Sequence, residues 1–285
     1  MQEIINILPK IAIWIQEILQ TDNSQQNIWT TTNKSWDSQV PLDVMSDSYI
    51  FQTLSQLDCI HKIVSEEREN IDIINEKWEY SIAYDPLDWS SLVDVNVSVG
   101  TIFWIYKWEF QAKNLVWASY IIYGPRLEIV YTVENKVMYL QKLWENFVEK
   151  SFSNLLNKWN IISPGGLRNR WKNYHKDLIN NFYSKEYTLR YSWAMIVELH
   201  HLLLKWGWLH SYPELDWKPN WKLRKLFEVF PLALLFEKLW WEAIDKNGTR
   251  ILDLHCNSIH EPTSCYFGSK YEIEKVRKFL PSFSQ

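Results

Sequence analysis

YSIAYDPLDWSS, residues 80–91, is an apolar run that halts on an acid and then turns. Residues 80 to 84 have the length and composition of a buried strand, which would deliver Asp85 and Asp88 into a loop stiffened by Pro86. Two carboxylates three residues apart in such a loop can face one point. Magnesium takes hard oxygen ligands in near-octahedral array at about 2.0–2.1 Å, and carboxylates with a main-chain carbonyl supply them. Glu66-Glu67 upstream and Glu228 far downstream are candidates to complete a cage. Alone, Asp-x-x-Asp is more often a solvated turn, so its reading depends on its surroundings.

Strand-like runs rich in Val, Ile and Tyr follow at residues 97 to 106, 115 to 123 and 127 to 133, with Gly124-Pro125 as a turn signal before the last. Helical apolar spacing marks residues 3 to 20 and 193 to 205, and a further helix is expected over 222 to 239, interrupted by Pro231. A last helix starts at Ser269, whose S-x-x-E spacing to Glu272 caps the first turn ahead of Ile273, Val276 and Leu280. Strands and helices mixed throughout argue a layered α/β protein in two lobes, residues 1–160 and 161–285.

A chain of 285 residues with 47% hydrophobic and 22% charged residues can bury one large core or two smaller ones. Its formal net charge of -4 offers no long-range attraction for nucleic acid or an anionic membrane, so neither is expected as a partner. The first residues lack a basic region and a small-residue cleavage site, and Lys10 and Glu17 interrupt the apolar stretch, so a cytoplasmic location is expected. Cys59, Cys256 and Cys265 form no paired framework, which agrees with a reducing compartment.

The chain holds 18 Trp and 7 Gly, where average usage predicts roughly 20 Gly. Adding the two counts restores that expectation. Trp36, Trp89, Trp217 and Trp221 stand among Asp, Asn, Ser and Pro, where turns ask for a residue that tolerates positive φ. A gene that uses UGA for glycine, translated as though UGA were tryptophan, would produce this pattern. A Trp-rich binding protein is the alternative, and such surfaces do not place Trp in tight turns.

Beyond the loop the chain carries WTTTNKSWDSQVPLDVMS from residue 29, SEE at 65–67, VSVGTIFWIY from residue 97, LRYSWAM at 189–195, HSYP at 210–213 and PNWKLRKLFEVFPLALLFEKLWWEA at 219–243. With DPLDWSS and in this order, it resembles the class I fructose-1,6-bisphosphatases over nearly its whole length, with Trp at the family's glycine positions. The resemblance implies a five-layer α-β-α-β-α sugar-phosphatase fold, with a metal-binding lobe first and a sugar-phosphate-binding lobe second. It implies hydrolysis of the 1-phosphate of fructose 1,6-bisphosphate with two or three Mg²⁺ per subunit, Mn²⁺ being possible. The metal ligands would be Glu66, Glu67, Asp85, the carbonyl of Leu87, Asp88 and Glu228. Glu67 would also polarise the attacking water. Ser90, Ser91 and Arg224 would hold the 1-phosphate, and Tyr191, Tyr212 and Lys222 the sugar and second phosphate. Arg190 would reach the site of a neighbouring subunit in a homotetramer.

The chain departs from the family in places. Ser48 stands where the resemblance aligns an acid that helps Glu67, with Asp47 one position early as its substitute. Leu92 and Gly166 replace asparagines, which weakens the expected grip on the 6-phosphate. Glu79-Tyr80 replaces a Lys-Tyr pair, a charge reversal against a nucleotide effector. Sedoheptulose 1,7-bisphosphate remains an alternative substrate; an inositol-phosphate phosphatase is disfavoured by the paired serines and KLRKLFE. His255, Cys256, His260 and Cys265 lack a C-x-x-C knuckle and are not expected to bind zinc, and the adjacent His200-His201 point to different helix faces.

Overall fold

The computed structural model describes residues 1–21, 31–32, 38–39, 41–152, 160–205, 209–218 and 222–281. The turns expected at Trp36 and Trp221 lie outside them. Helix α1 (Gln2–Leu19) buries Ile4, Leu8, Ile11 and Ile15, the stripe its spacing predicts. After a two-residue pair, β1 (Thr31–Thr32) with β2 (Ser38–Gln39), comes helix α2 (Pro41–Leu54). It has no sequence signature because Asp43, Ser46 and Asp47 share its buried side with Leu42, Ile50 and Leu54.

An eight-stranded sheet is built from β3 (Ile60–Ser65), β4 (Asp72–Ile73), β5 (Tyr80–Asp88), β6 (Val99–Lys107), β7 (Leu115–Tyr123), β8 (Leu127–Val133), β9 (Lys136–Leu143) and β10 (Asn146–Ser151), in the order β10-β9-β8-β7-β6-β5-β3-β4. Among these strands only β3 and β5 run parallel. A second sheet orders β12-β11-β13-β15-β14, from β11 (Ile161–Pro164), β12 (Thr188–Leu189), β13 (Leu209–Tyr212), β14 (Glu242–Ile244) and β15 (Cys265–Gly268).

The layers follow from which faces are apolar. Helices α1 and α2 pack on one face of the large sheet around Ile63, Ile82, Phe103 and Ile121. Its other face meets α4 (Met195–Leu204) and α5 (Phe230–Glu237) through Ile102, Trp104, Tyr120, Leu199 and Phe230. The second sheet covers the far side of α5, and α3 (Asn173–Tyr183) with α6 (Lys270–Phe279) closes it around Ile162, Ile179 and Tyr266. The order is α-β-α-β-α, the mixed five-layer fold that the resemblance implies. Each large apolar side chain so buried contributes about 1.5–3 kcal/mol, which makes these three interlayer cores the main cohesive force.

Most expected elements form within a few residues. The helix expected over 222 to 239 instead starts with a π-helical turn, Lys225–Val229, and Pro231 falls in the first turn of α5, where its missing N–H costs nothing. Ser269 caps α6 by accepting from Glu272 N at 3.4 Å, and its hydroxyl donates to Glu272 Oε2. Five tryptophans sit at positive φ: Trp89 at 61°, Trp108 at 62°, Trp144 at 54°, Trp193 at 79° and Trp240 at 66°. That region penalises any residue with a Cβ.

Candidate active site

The parallel pairing of β3 with β5 brings the acids together. Ser65 is in register with Tyr84, so Glu66-Glu67 leave one strand where Asp85 to Asp88 leave its neighbour, and Glu66 N donates to Tyr84 O at 3.0 Å. Between Asp85 and Asp88 the pairing with β6 shifts register. The bulge is held by Thr101, whose hydroxyl donates to Pro86 O at 2.9 Å, and by Leu87 N donating to Asp85 Oδ1 at 3.0 Å. Glu228 arrives from the π-helical turn, where such a distortion often marks function, and accepts from Arg224 N at 2.6 Å.

These residues line one cleft of about 200 Å³: Asp43, Glu66, Glu67, Asp85, Leu87, Asp88, Trp89, Ser90, Ser91, Lys222, Leu223, Arg224 and Glu228. Ligand pockets usually start near 300 Å³, and Trp89 occupies part of this one, its ring 4.7 Å beneath the Lys222 ammonium. Every residue expected to hold metal or the 1-phosphate is in this lining.

The electrostatics are those of crowded buried acids. Burial raises the Asp85 carboxyl well above the usual range, and Glu66, Asp88 and Glu228 add like-charge repulsion. Asp88 is pushed up to about 7 by burial and by Glu66, against the opposing effect of Ile196 N–H, which donates to its Oδ2 at 3.1 Å. Glu228 is raised by burial and Glu66, with Arg224 opposing. The Arg224 guanidinium is paired with Glu66. The set calls for positive charge.

Asp47, expected beside Glu67, is elsewhere. Its carboxylate accepts from Arg68 Nε at 2.8 Å and from the Tyr84 hydroxyl at 2.7 Å, and it is not in the cleft lining. The acid that α2 presents to the cleft is Asp43, which accepts from Ser90 Oγ at 2.8 Å. The two stand just over one helical turn apart, about 6 Å along the axis, enough to move a carboxylate from the site to an ion pair behind it. A buried acid on a helix whose apolar pattern is broken was the available signal.

The second-phosphate candidates divide. Tyr191 and Tyr212 both close on Gly165, where an added Cβ would lie 2.6 Å from Tyr212 Cδ2 and 3.1 Å from the Tyr191 hydroxyl, so no larger residue fits between them. Lys222 joins the cleft, while Arg190 is exposed at the molecular surface. Of the segment considered for zinc, Cys265 lies inside β15 and Cys256 Sγ donates to Ser258 O at 3.1 Å. His200 packs against the large sheet, its ring nitrogens 2.9 Å from the Tyr120 hydroxyl and 3.1 Å from Glu128. Glu79 is paired with Lys107 at 3.2 Å.

Comparison with known proteins gives the same picture. Residues 3–143 match the family profile "Fructose-1-6-bisphosphatase, N-terminal domain" and residues 155–281 the corresponding C-terminal domain. The class 1 fructose-1,6-bisphosphatase of Helicobacter hepaticus is 42% identical over 279 residues, covering 96% of this chain and 98% of that protein. That of Campylobacter hominis is also 42% identical, covering 98% and 99%. The crystal structure of Leishmania major fructose-1,6-bisphosphatase in holo form superposes with a TM-score of 0.90 at 25% identity, over 96% of this chain and 92% of that one. With both halves matched and the fold alike, this chain belongs to the class 1 fructose-1,6-bisphosphatase family.

Proposed function

We propose that this chain hydrolyses the 1-phosphate of fructose 1,6-bisphosphate to fructose 6-phosphate and inorganic phosphate, assisted by Mg²⁺ or Mn²⁺. The observation that carries the reading is one cleft where an all-oxygen acidic set faces Ser90, Ser91, Lys222 and Arg224. Glu66, Glu67, Asp85, the Leu87 carbonyl, Asp88 and Glu228 suit two or three hard divalent ions, because burial and repulsion leave them short of positive charge. Among the described residues no three acids or other ligands already stand at metal-ligand geometry, so the cage would draw in as Arg224 leaves Glu66. Bound there, the ions supply Lewis acidity for the phosphoryl oxygens and for a water. Glu67 accepts the water's proton, with Asp43 taking the assisting place first expected of Asp47. The Ser90 and Ser91 hydroxyls and the backbone N–H groups after Asp88 cradle the phosphoryl group, and Arg224 turns its fork of donors toward it. Tyr191, Tyr212 and Lys222 hold the phosphate that is not cleaved. Exposed Arg190, beside half-exposed Leu189, would cross to a second copy in a homotetramer. The division near residue 160 is supported by the two sheets lying on either side of it. No helix among the described residues is long and apolar enough to cross a membrane. Phosphate release from fructose 1,6- and sedoheptulose 1,7-bisphosphates, with each metal and in chelator, tests the reading: full activity in chelator removes the cage, and no release from either removes the function.

We further propose that many of these tryptophans are UGA-encoded glycines. Five of the eight non-glycine residues at positive φ among the described residues are Trp. The indole N–H groups of Trp104 and Trp117 are buried with no acceptor, which native cores rarely tolerate. Trp171 is different: its Nε1 donates to Gly165 O at 3.1 Å and its ring meets His175 edge-on. It fits as a true tryptophan. The gene decides: UGA is expected at Trp89, Trp104, Trp117, Trp144 and Trp240 and UGG at Trp171, and UGG throughout ends the proposal.

A further inference from the structure

Glu198 is a carboxylate in the core that the reading above leaves without a role. It lies one turn into α4, is 2% exposed, and makes bonds to two other segments. One oxygen accepts from Ser192 N; the other accepts from the Ser163 hydroxyl at 2.6 Å. Ser163 Oγ in turn lies 3.3 Å from His210 Nδ1. A buried carboxylate is unfavourable unless its oxygens are satisfied, so these partners hold it and it holds them.

What it holds decides the geometry of one half of the site. Ser192 directly follows Arg190-Tyr191. Ser163 is the penultimate residue of β11, two before Gly165, the glycine over which the Tyr191 hydroxyl and the Tyr212 ring lie. His210 is in β13, two residues before Tyr212. The same helix, through Ile196 N, donates to Asp88 on the phosphate-cleaving side. The first turn of α4 therefore touches Asp88 through Ile196 N and is tied through Glu198 to the segments around the two tyrosines.

We propose that Glu198 is a positioning residue for the phosphate that is not cleaved, its carboxylate fixing the Arg190–Ser192 segment and the Ser163–Gly166 segment at one spacing. This rests on the bisphosphatase reading, and predicts that its loss weakens grip on the second phosphate while leaving chemistry at the first intact. A purely structural role would damage both alike.

The test compares Glu198→Ala, Glu198→Gln and Ser163→Ala on fructose 1,6-bisphosphate and on fructose 1-phosphate, which lacks the second phosphate. They are made in whichever background, as written or glycine-restored, is active. Hydrogen bonds to a charged group are worth enough that Glu198→Ala should raise KM for the bisphosphate about ten- to a hundredfold, with kcat within about threefold. Its kcat/KM for fructose 1-phosphate should stay within about threefold of the parent. Glu198→Gln, which can still accept from Ser192 N and donate to Ser163, should recover most of the KM. An unchanged KM, or equal loss on both substrates, overturns the proposal. If Glu198→Ala does not fold, the same comparison is read from the other two variants. Should the parent hydrolyse neither substrate, the functional reading falls, and calorimetric binding of fructose 6-phosphate decides the positioning role: absent in the parent, or as tight in Glu198→Gln and Ser163→Ala as in the parent, it overturns the proposal too.

Discussion

Asp43 and Asp47 differ by one turn of α2 and separate function from stability. Asp43→Asn should lower kcat for phosphate release by at least about a hundredfold with little change in unfolding temperature, because its carboxylate faces the cleft and the Ser90 hydroxyl. Asp47→Asn should do the reverse, costing about 1–3 kcal/mol through the ion pair with Arg68 and the bond from Tyr84, and sparing kcat. Kinetics and thermal unfolding on the two variants check the pair; a loss of kcat in Asp47→Asn alone would return that acid to the site. Among the tryptophans, Trp144 is 92% exposed and Trp240 82%, each at positive φ, so neither indole offsets its backbone strain by burial. Replacing either by glycine should stabilise the fold by about 1 kcal/mol in denaturant titration. A destabilisation would show that the ring contributes more than the strain costs.

At the scale of elements, the decisive fact is the parallel pair β3 and β5, whose ends deliver two acidic segments to one place. Asp88 there has a folded pKa raised to about 7 against about 3.9 for a free aspartate, by burial and by Glu66. The sign follows from proton counting. With the folded value raised, the stability this group contributes is present in full below about 4 and is lost as pH rises through about 7. The metal-free protein should thus lose stability between about pH 4 and 7 relative to Asp88→Asn, and no further above that. Magnesium needs the carboxylate forms, so its binding should expel protons from the raised acids near pH 6, Asp88 among them, and about one fewer at pH 8, with affinity rising with pH. Calorimetry in two buffers of different ionisation heat counts those protons; equal release at both pH values would remove Asp88 from the ligand set.

At the scale of the whole molecule, segments from the two halves of the chain are clasped at a second point away from the acids. Gln111, just before the short turn that leads into β7, donates from Nε2 to Cys256 O at 2.7 Å and accepts from Cys256 N at 3.0 Å. The amide thus satisfies both backbone groups of a residue between β14 and β15. Gln111→Ala should cost about 1–3 kcal/mol and should lower the cooperativity of unfolding, since one side of the interlayer contact is released. Denaturant titration followed by tryptophan fluorescence reads both; an unchanged midpoint and slope would show that the apolar core between the layers suffices alone.

The sequence determined the strands and helices with clean periodicity: α1, β5 to β8, α4 and the Ser269 cap are legible because one face is apolar and the ends carry turn chemistry. The acidic residues were legible as candidates only, since DPLDWSS alone reads as a solvated turn and it is the resemblance that groups Glu66, Glu67, Asp85, Asp88 and Glu228. Tertiary structure decided the rest. Helix α2 is hidden in the pattern because its buried side is partly acidic, and which of Asp43 and Asp47 enters the cleft depends on how far along its axis the helix sits against the sheet. The π-helical turn that aims Glu228 depends on packing between two sheets. The bonds of Glu198 join residues 163, 192 and 198, whose proximity no local spacing announces, because only the closing of α4 onto β11 brings a carboxylate to two donors from different segments.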